Sequence, residues 1–132
     1  MDVKELREHE KTDLKRLETV KQEIESDGVV KLAIIADEAT KVVLDGEHRL
    51  TALRELGYTK APVIFVDYES SDISVESWKI GEQLTKDTVI LAGLTRKKLP
   101  PKTSRHMVKL GDKYEHISVL GGRMDVPLEK LK

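Results

Sequence analysis

Three short segments carry side chains able to do chemistry, and two of them suit an anionic ligand. At Asp45-Gly46-Glu47-His48-Arg49 an apolar run ending in Leu44 gives way to Leu50, Leu53 and Leu56 at helical spacing. A strand running into a helix presents unpaired N–H groups and a positive dipole end, which together attract anions. Gly46 lets a phosphate come close to the backbone, and His48 and Arg49 add donors. The plainer reading makes Asp45 a helix cap and the next three residues a solvated first turn. In Pro101-Lys102-Thr103-Ser104-Arg105-His106, five consecutive polar side chains could surround a phosphate, or form an exposed basic loop braced by Pro100 and Pro101. His9-Glu10 offers a carboxylate that could take a proton from a substrate hydroxyl, although one acid in a charged N-terminus is by itself ordinary surface.

Several chemistries are excluded. The chain has no Walker A loop, no dinucleotide fingerprint and no HExxH. It has no cysteine, which removes disulfides, thiolate nucleophiles and cysteine metal sites. Lysine and arginine number 23 against 24 aspartates and glutamates, so no positive field draws a nucleic acid backbone. No apolar run reaches the roughly 18 residues of a membrane span, and the start MDVKELREHEKTD is too charged for a signal peptide. A cytoplasmic location is expected. The charge density and missing cysteines also suit an organism living hot. Trp78, the only tryptophan, reads by default as core, and His116 falls in a predicted strand with no role assigned.

The elements that must position these segments fit one domain over residues 1–132. Thr12 or Asp13 caps a helix with Leu14, Leu17, Val20 and Ile24 on its inner face, stopped at Asp27-Gly28. Val29 to Ala36 and Lys41 to Leu44 read as a two-stranded ribbon turning at 37–40. Gly57 ends the helix that follows Asp45. Ala61 to Tyr68 reads as a buried strand and Ile73 to Val75 as another. Thr85 starts a helix that reaches Ala92 and ends at Gly93, after which Pro100 and Pro101 forbid regular structure and Lys102 to His106 form a loop. A strand is predicted at Ile117 to Leu120, a turn at Gly121-Gly122 and a helical turn after Pro127.

Taken in order, these residues resemble one family. Val43-Leu44-Asp45-Gly46-Glu47-His48-Arg49-Leu50-Thr51-Ala52-Leu53, running on through Leu56-Gly57 to Ala61-Pro62-Val63, resembles the DGHHR segment of the ParB/sulfiredoxin superfamily. With His9-Glu10 upstream, Asp67-Tyr68 and Trp78 between, and the late Pro101 to His106 segment, the chain is similar to the archaeal free-serine kinases, whose late motif reads PKTTRH. Two departures stand out: Glu47 replaces the family histidine and leans toward the GERR motif of CTP-binding ParB proteins, and a segment that often precedes the late motif is short or absent.

The resemblance implies an α+β domain, a mixed sheet flanked by helices, that phosphorylates free L-serine from ATP or ADP with Mg²⁺ on the donor phosphates, in the service of cysteine biosynthesis. It makes Glu10 the catalytic base and gives Asp45 a part in catalysis, orienting substrate or a metal-bound water. His48 and Trp78 are assigned to serine. Gly46, Glu47, His48, Arg49, Lys102, Thr103, Ser104, Arg105 and His106 are assigned to the nucleotide and its phosphates. Partners are then serine and nucleotide, with no membrane or nucleic acid and a monomeric or small homo-oligomeric state. The alternative is a ParB-like nucleotide switch or DNA adaptor, against which stand the missing helix-turn-helix and the net charge of -1. Sulfiredoxin chemistry needs a cysteine and is discarded.

Overall fold

The computed structural model describes residues 1–77, 84–100, 103–121 and 123–132, with the side chain of Arg123 outside that description. Helix α1 (Leu14–Asp27) opens where the Asp13 side chain accepts the Lys15 and Arg16 N–H groups. It ends at Gly28 in the left-handed region. Leu17, Val20 and Ile24 form its buried face, whereas Leu14, predicted inside, lies in the first turn and is exposed.

The mostly apolar stretch from Val29 makes two strands, β1 (Val29–Leu32) and β2 (Ile34–Asp37), which join different sheets. The ribbon predicted from them is the antiparallel pair of β2 and β3 (Val43–Asp45). Asp37 closes its turn, accepting the Thr40 N–H at 3.1 Å and hydroxyl at 2.6 Å. Strand β4 (Val63–Val66) pairs with β2 in parallel, with α2 (Glu47–Glu55) carrying the chain across between β3 and β4. This mixed sheet, in the order β3-β2-β4, buries β2 completely; β4, at an edge, is half-buried rather than buried as predicted.

A second sheet holds β5 (Ile73–Ser77), β6 (Ser104–Leu110) and β7 (Lys113–His116), all antiparallel. Strand β8 (Arg123–Pro127) returns to pair with β1. Helix α3 (Lys86–Thr95) begins at the predicted cap, Thr85, and runs past Gly93 to Arg96. Gly93 is a contact surface and no stop: a Cβ there would lie 2.7 Å from Val42 Cγ2. Residues 117–120, predicted as a strand, form a 3-10 turn that buries Ile117, and a second such turn, Leu128–Leu131, follows Pro127 as expected.

Two apolar clusters back this framework. One joins α1, α2 and β2 through Leu17, Val20, Ile24, Ile34, Leu50 and Leu53. The other joins the mixed sheet to α3 and β6 through Ile35, Val42, Leu44, Val89 and Val108. The mixed α/β character expected from sequence holds, with the strands divided among three small sheets.

Candidate functional site

The N-terminal segment ahead of α1 is stitched between the mixed sheet and the residues leading into β6. Arg7 bridges to Val42 and Glu10 to Leu99. The His9 carbonyl accepts the Leu99 N–H at 2.8 Å, and the Lys11 N–H donates to the Leu99 carbonyl at 2.7 Å. Glu10 is thereby set over the start of β6, where one carboxylate oxygen, Oε1, accepts the backbone N–H groups of Thr103 at 2.9 Å and Ser104 at 2.7 Å and the Ser104 hydroxyl at 3.1 Å. Three donors on one oxygen fix the carboxylate's direction and leave Oε2 without a hydrogen bond among the described residues.

Opposite stands the start of α2. Gly46 takes the cap position with φ of 99° and no side-chain cap bond, so the first N–H groups of the helix are not closed off by a capping side chain. A Cβ at this position would lie 2.9 Å from Arg49 Nη2 and 3.1 Å from Ile34 Cγ1, which together with the positive φ demands glycine. Asp45 does not cap the helix; it pairs with Arg49 Nη2 at 3.3 Å. A cleft of about 100 Å³ lies between the two halves, lined by His9, Glu10, Leu44, Asp45, Gly46, Glu47, His48 and Ser104. His48 is anchored on its rim, with Nε2 accepting the Asp13 N–H at 3.0 Å.

Beneath the cleft, His9 is almost wholly buried. Its Nδ1 lies 2.7 Å from the Val43 carbonyl and 2.8 Å from Glu47 Oε1, and its Nε2 lies 2.8 Å from the Ser104 hydroxyl. Burial alone would lower the pKa of this imidazole. The hydrogen bond and charge of Glu47, then the charge of Glu10 and the Val43 carbonyl, outweigh burial and hold it above its ordinary value. For Glu47 burial is the larger influence and raises its carboxyl above the usual range despite the pull of His9.

The structure brings Glu10, Asp45, Gly46, Glu47, His48 and Ser104 to one cleft, and Thr103 to its edge through the Glu10 bond. It turns Arg105 and His106 away from that cleft. The predicted loop at 102–106 is, from Ser104 on, the strand β6, and alternation sends successive side chains to opposite faces. Arg105 accordingly reaches away to Glu76 on β5 at 2.6 Å. His106 turns inward, buried, with Nε2 2.8 Å from the Tyr68 hydroxyl. Burial, with the nearby charge of His9, holds the pKa of His106 down to about 3, and the ring packs inside the fold. Arg49 stands directly behind Gly46 and Asp45: Nη2 donates to the Ala33 carbonyl at 3.1 Å and to Asp45 at 3.3 Å, and the side chain lines a groove between α1 and β1. Glu47, expected at the nucleotide, lines the cleft and is also the buried partner of His9. Trp78 and Lys102 lie outside the described residues.

Two histidines were given no role by sequence. His9 was visible only as the neighbour of Glu10, and its contacts with Val43, Glu47 and Ser104 are all long-range. His116, at the end of β7, comes within 3.9 Å of Asp45. Neither contact leaves a mark in local spacing.

No protein-family model matches the chain. Among curated proteins it is similar to an ATP-dependent L-serine kinase of Staphylothermus marinus, with 37% identity over 82 residues, 59% of this chain and 32% of that protein. It is also similar to a ParB-like protein of Sulfolobus acidocaldarius, with 44% identity over 45 residues, 34% of this chain and 23% of that protein. The chain thus spans about a third or less of the length of these relatives. Among solved structures, a free serine kinase in complex with AMP superposes with a TM-score of 0.82 at 16% identity, covering 100% of this chain and 92% of that one. The chain therefore has the fold of free serine kinase, and over 59% of its length its sequence is similar to that of a curated L-serine kinase.

Proposed function

We propose that residues 1–132 are one catalytic unit that transfers a phosphoryl group from ATP or ADP to the hydroxyl of free L-serine, forming O-phospho-L-serine. The observation that carries this reading is the placement of Glu10: held through Oε1 by Thr103 and Ser104, with no hydrogen bond to Oε2 among the described residues, it lines a cleft that also contains the glycine-capped start of α2. Phosphoryl transfer asks the protein mainly to position the reactants and neutralise charge. In this reading Glu10 takes the proton of the serine hydroxyl, and the N–H groups after Gly46 receive donor phosphate oxygens. His48, on the rim, contacts the substrate or the phosphates. Trp78 and Lys102 keep the roles given by the resemblance, serine contact and phosphate contact.

Among the described residues no group of three or more His, Asp or Glu is arranged to hold a metal alone. A magnesium ion carried by nucleotide phosphates needs only one or two protein carboxylates, and Asp45, at the cleft beside Gly46, fits that need. Such an ion would neutralise phosphate charge; holding and orienting the serine and moving its proton fall to the chain's own residues. No helix among the described residues is long and apolar enough to cross a membrane. We take the substrates to be small diffusible molecules of the cytoplasm and the enzyme to act without nucleic acid, as a monomer or small homo-oligomer.

The similarity to a ParB-like protein supports a second reading, a nucleotide-binding switch without kinase activity. Incubating the protein with Mg²⁺, L-serine and either ATP or ADP, and measuring O-phosphoserine by mass spectrometry, separates the two. Product from either donor, with turnover in Glu10→Gln lower by about 10²- to 10⁴-fold, is the expected result. Nucleotide binding with no serine-dependent product sinks the kinase reading, and unchanged turnover in Glu10→Gln removes the base from Glu10.

A further inference from the structure

The hydroxyl that meets Glu10 in this structure belongs to the protein. Ser104 Oγ lies 3.1 Å from Glu10 Oε1 and 2.8 Å from His9 Nε2, and His9 is tied in turn to Glu47 at 2.8 Å. A carboxylate, a buried imidazole and a serine hydroxyl in hydrogen-bond sequence form the arrangement that activates serine nucleophiles on unrelated folds. The proton positions follow from the partners. Nδ1 of His9 faces only acceptors, the Val43 carbonyl and Glu47, and so carries a hydrogen. The Ser104 hydroxyl lies within hydrogen-bond distance of both Glu10 Oε1 and His9 Nε2, and Glu10 is a base.

Ser104 is also accessible. It is partly buried at the first position of β6 and lines the cleft that the start of α2 enters. Its hydroxyl is bonded to the Glu10 carboxylate, through Oε1, the group to which the proposed function gives the proton of free serine.

Resting on that reading, we infer that Ser104 is itself a phosphoryl acceptor: in the absence of free serine the protein phosphorylates its own Ser104 from the bound nucleotide. Ser104 Oγ attacks the terminal phosphorus of the nucleotide, forming a new P–O bond as the bond to the departing nucleotide oxygen breaks. The hydroxyl proton passes to Glu10. The products are phosphoserine at position 104 and the nucleotide shortened by one phosphate, with no oxidant or further reactant needed. Free serine, competing for the same base, suppresses the reaction.

The test is to incubate the full chain with Mg²⁺ and ATP or ADP labelled in the terminal phosphate, without serine, and to map the label by peptide mass spectrometry. A second sample receives L-serine and is assayed for O-phosphoserine. Label on Ser104, its loss in Ser104→Ala and Glu10→Gln, its return as phosphothreonine in Ser104→Thr, and its suppression by added serine are expected. O-phosphoserine formed with no label on Ser104 overturns the inference and leaves the kinase reading standing. Label at another residue overturns it as well, and absence of both products overturns the two together.

Discussion

His9 and Glu47, 38 residues apart in sequence, face each other at 2.8 Å with both side chains buried. The His9 backbone N–H also donates to the same Glu47 oxygen at 3.0 Å. The bond locks the segment carrying Glu10 to the first turn of the helix that opens on the cleft. A carboxylate thus supplies the acceptor for the buried imidazole.

That pair predicts an asymmetric mutational response. Glu47→Ala leaves a buried imidazole and a backbone N–H without their partner and is expected to lower unfolding free energy by about 3–5 kcal/mol. Glu47→Gln retains an acceptor for both and is expected to cost less than half as much. Urea denaturation of the two variants beside the parent measures the difference; equal losses would mean that the charge, and not the hydrogen bonding, holds the segment.

Gly46 predicts a local defect. Its φ of 99° and the 2.9 Å approach of Arg49 make an alanine there strained and crowded. Gly46→Ala is expected to lose about 1–3 kcal/mol of stability and to raise the KM for nucleotide more than it lowers kcat. Thermal denaturation with steady-state kinetics checks both; an unchanged nucleotide KM would mean that the start of α2 does not contact the phosphates.

His106 predicts the acid limb of stability. Its folded pKa is depressed to about 3 from an unfolded value near 6.5, so the unfolded chain binds a proton that the folded chain refuses. Stability therefore falls as pH drops from about 6.5 toward about 3. The opposite sign holds for His9, whose raised pKa contributes stability below about 6.5 that is lost as pH rises through its folded value. Denaturation midpoints across pH for the parent and His106→Gln are expected to converge toward low pH, because the variant has no imidazole to protonate on unfolding. Parallel curves would mean that His106 is not held neutral.

What the sequence determined by itself was whatever is written in neighbouring residues. A cap at Thr12 or Asp13, the stop at Gly28, a helix opening near Gly46 and the cap of α3 at Thr85 all follow from local backbone chemistry. So did the segments from which the cleft is made: His9-Glu10, Asp45 to His48 and the stretch containing Ser104. Tertiary structure alone decided how side chains within those segments divide. Alternation along β6 keeps Ser104 at the cleft, turns Arg105 outward to Glu76 and buries His106 against Tyr68, because pairing with β5 fixes which face each residue shows. It likewise decided that Arg49 clamps Asp45 and Ala33, that Leu14 is exposed, and that Glu47 meets His9. Each of these depends on a contact between distant segments, and no spacing within one segment encodes which partner the folded chain will bring to it.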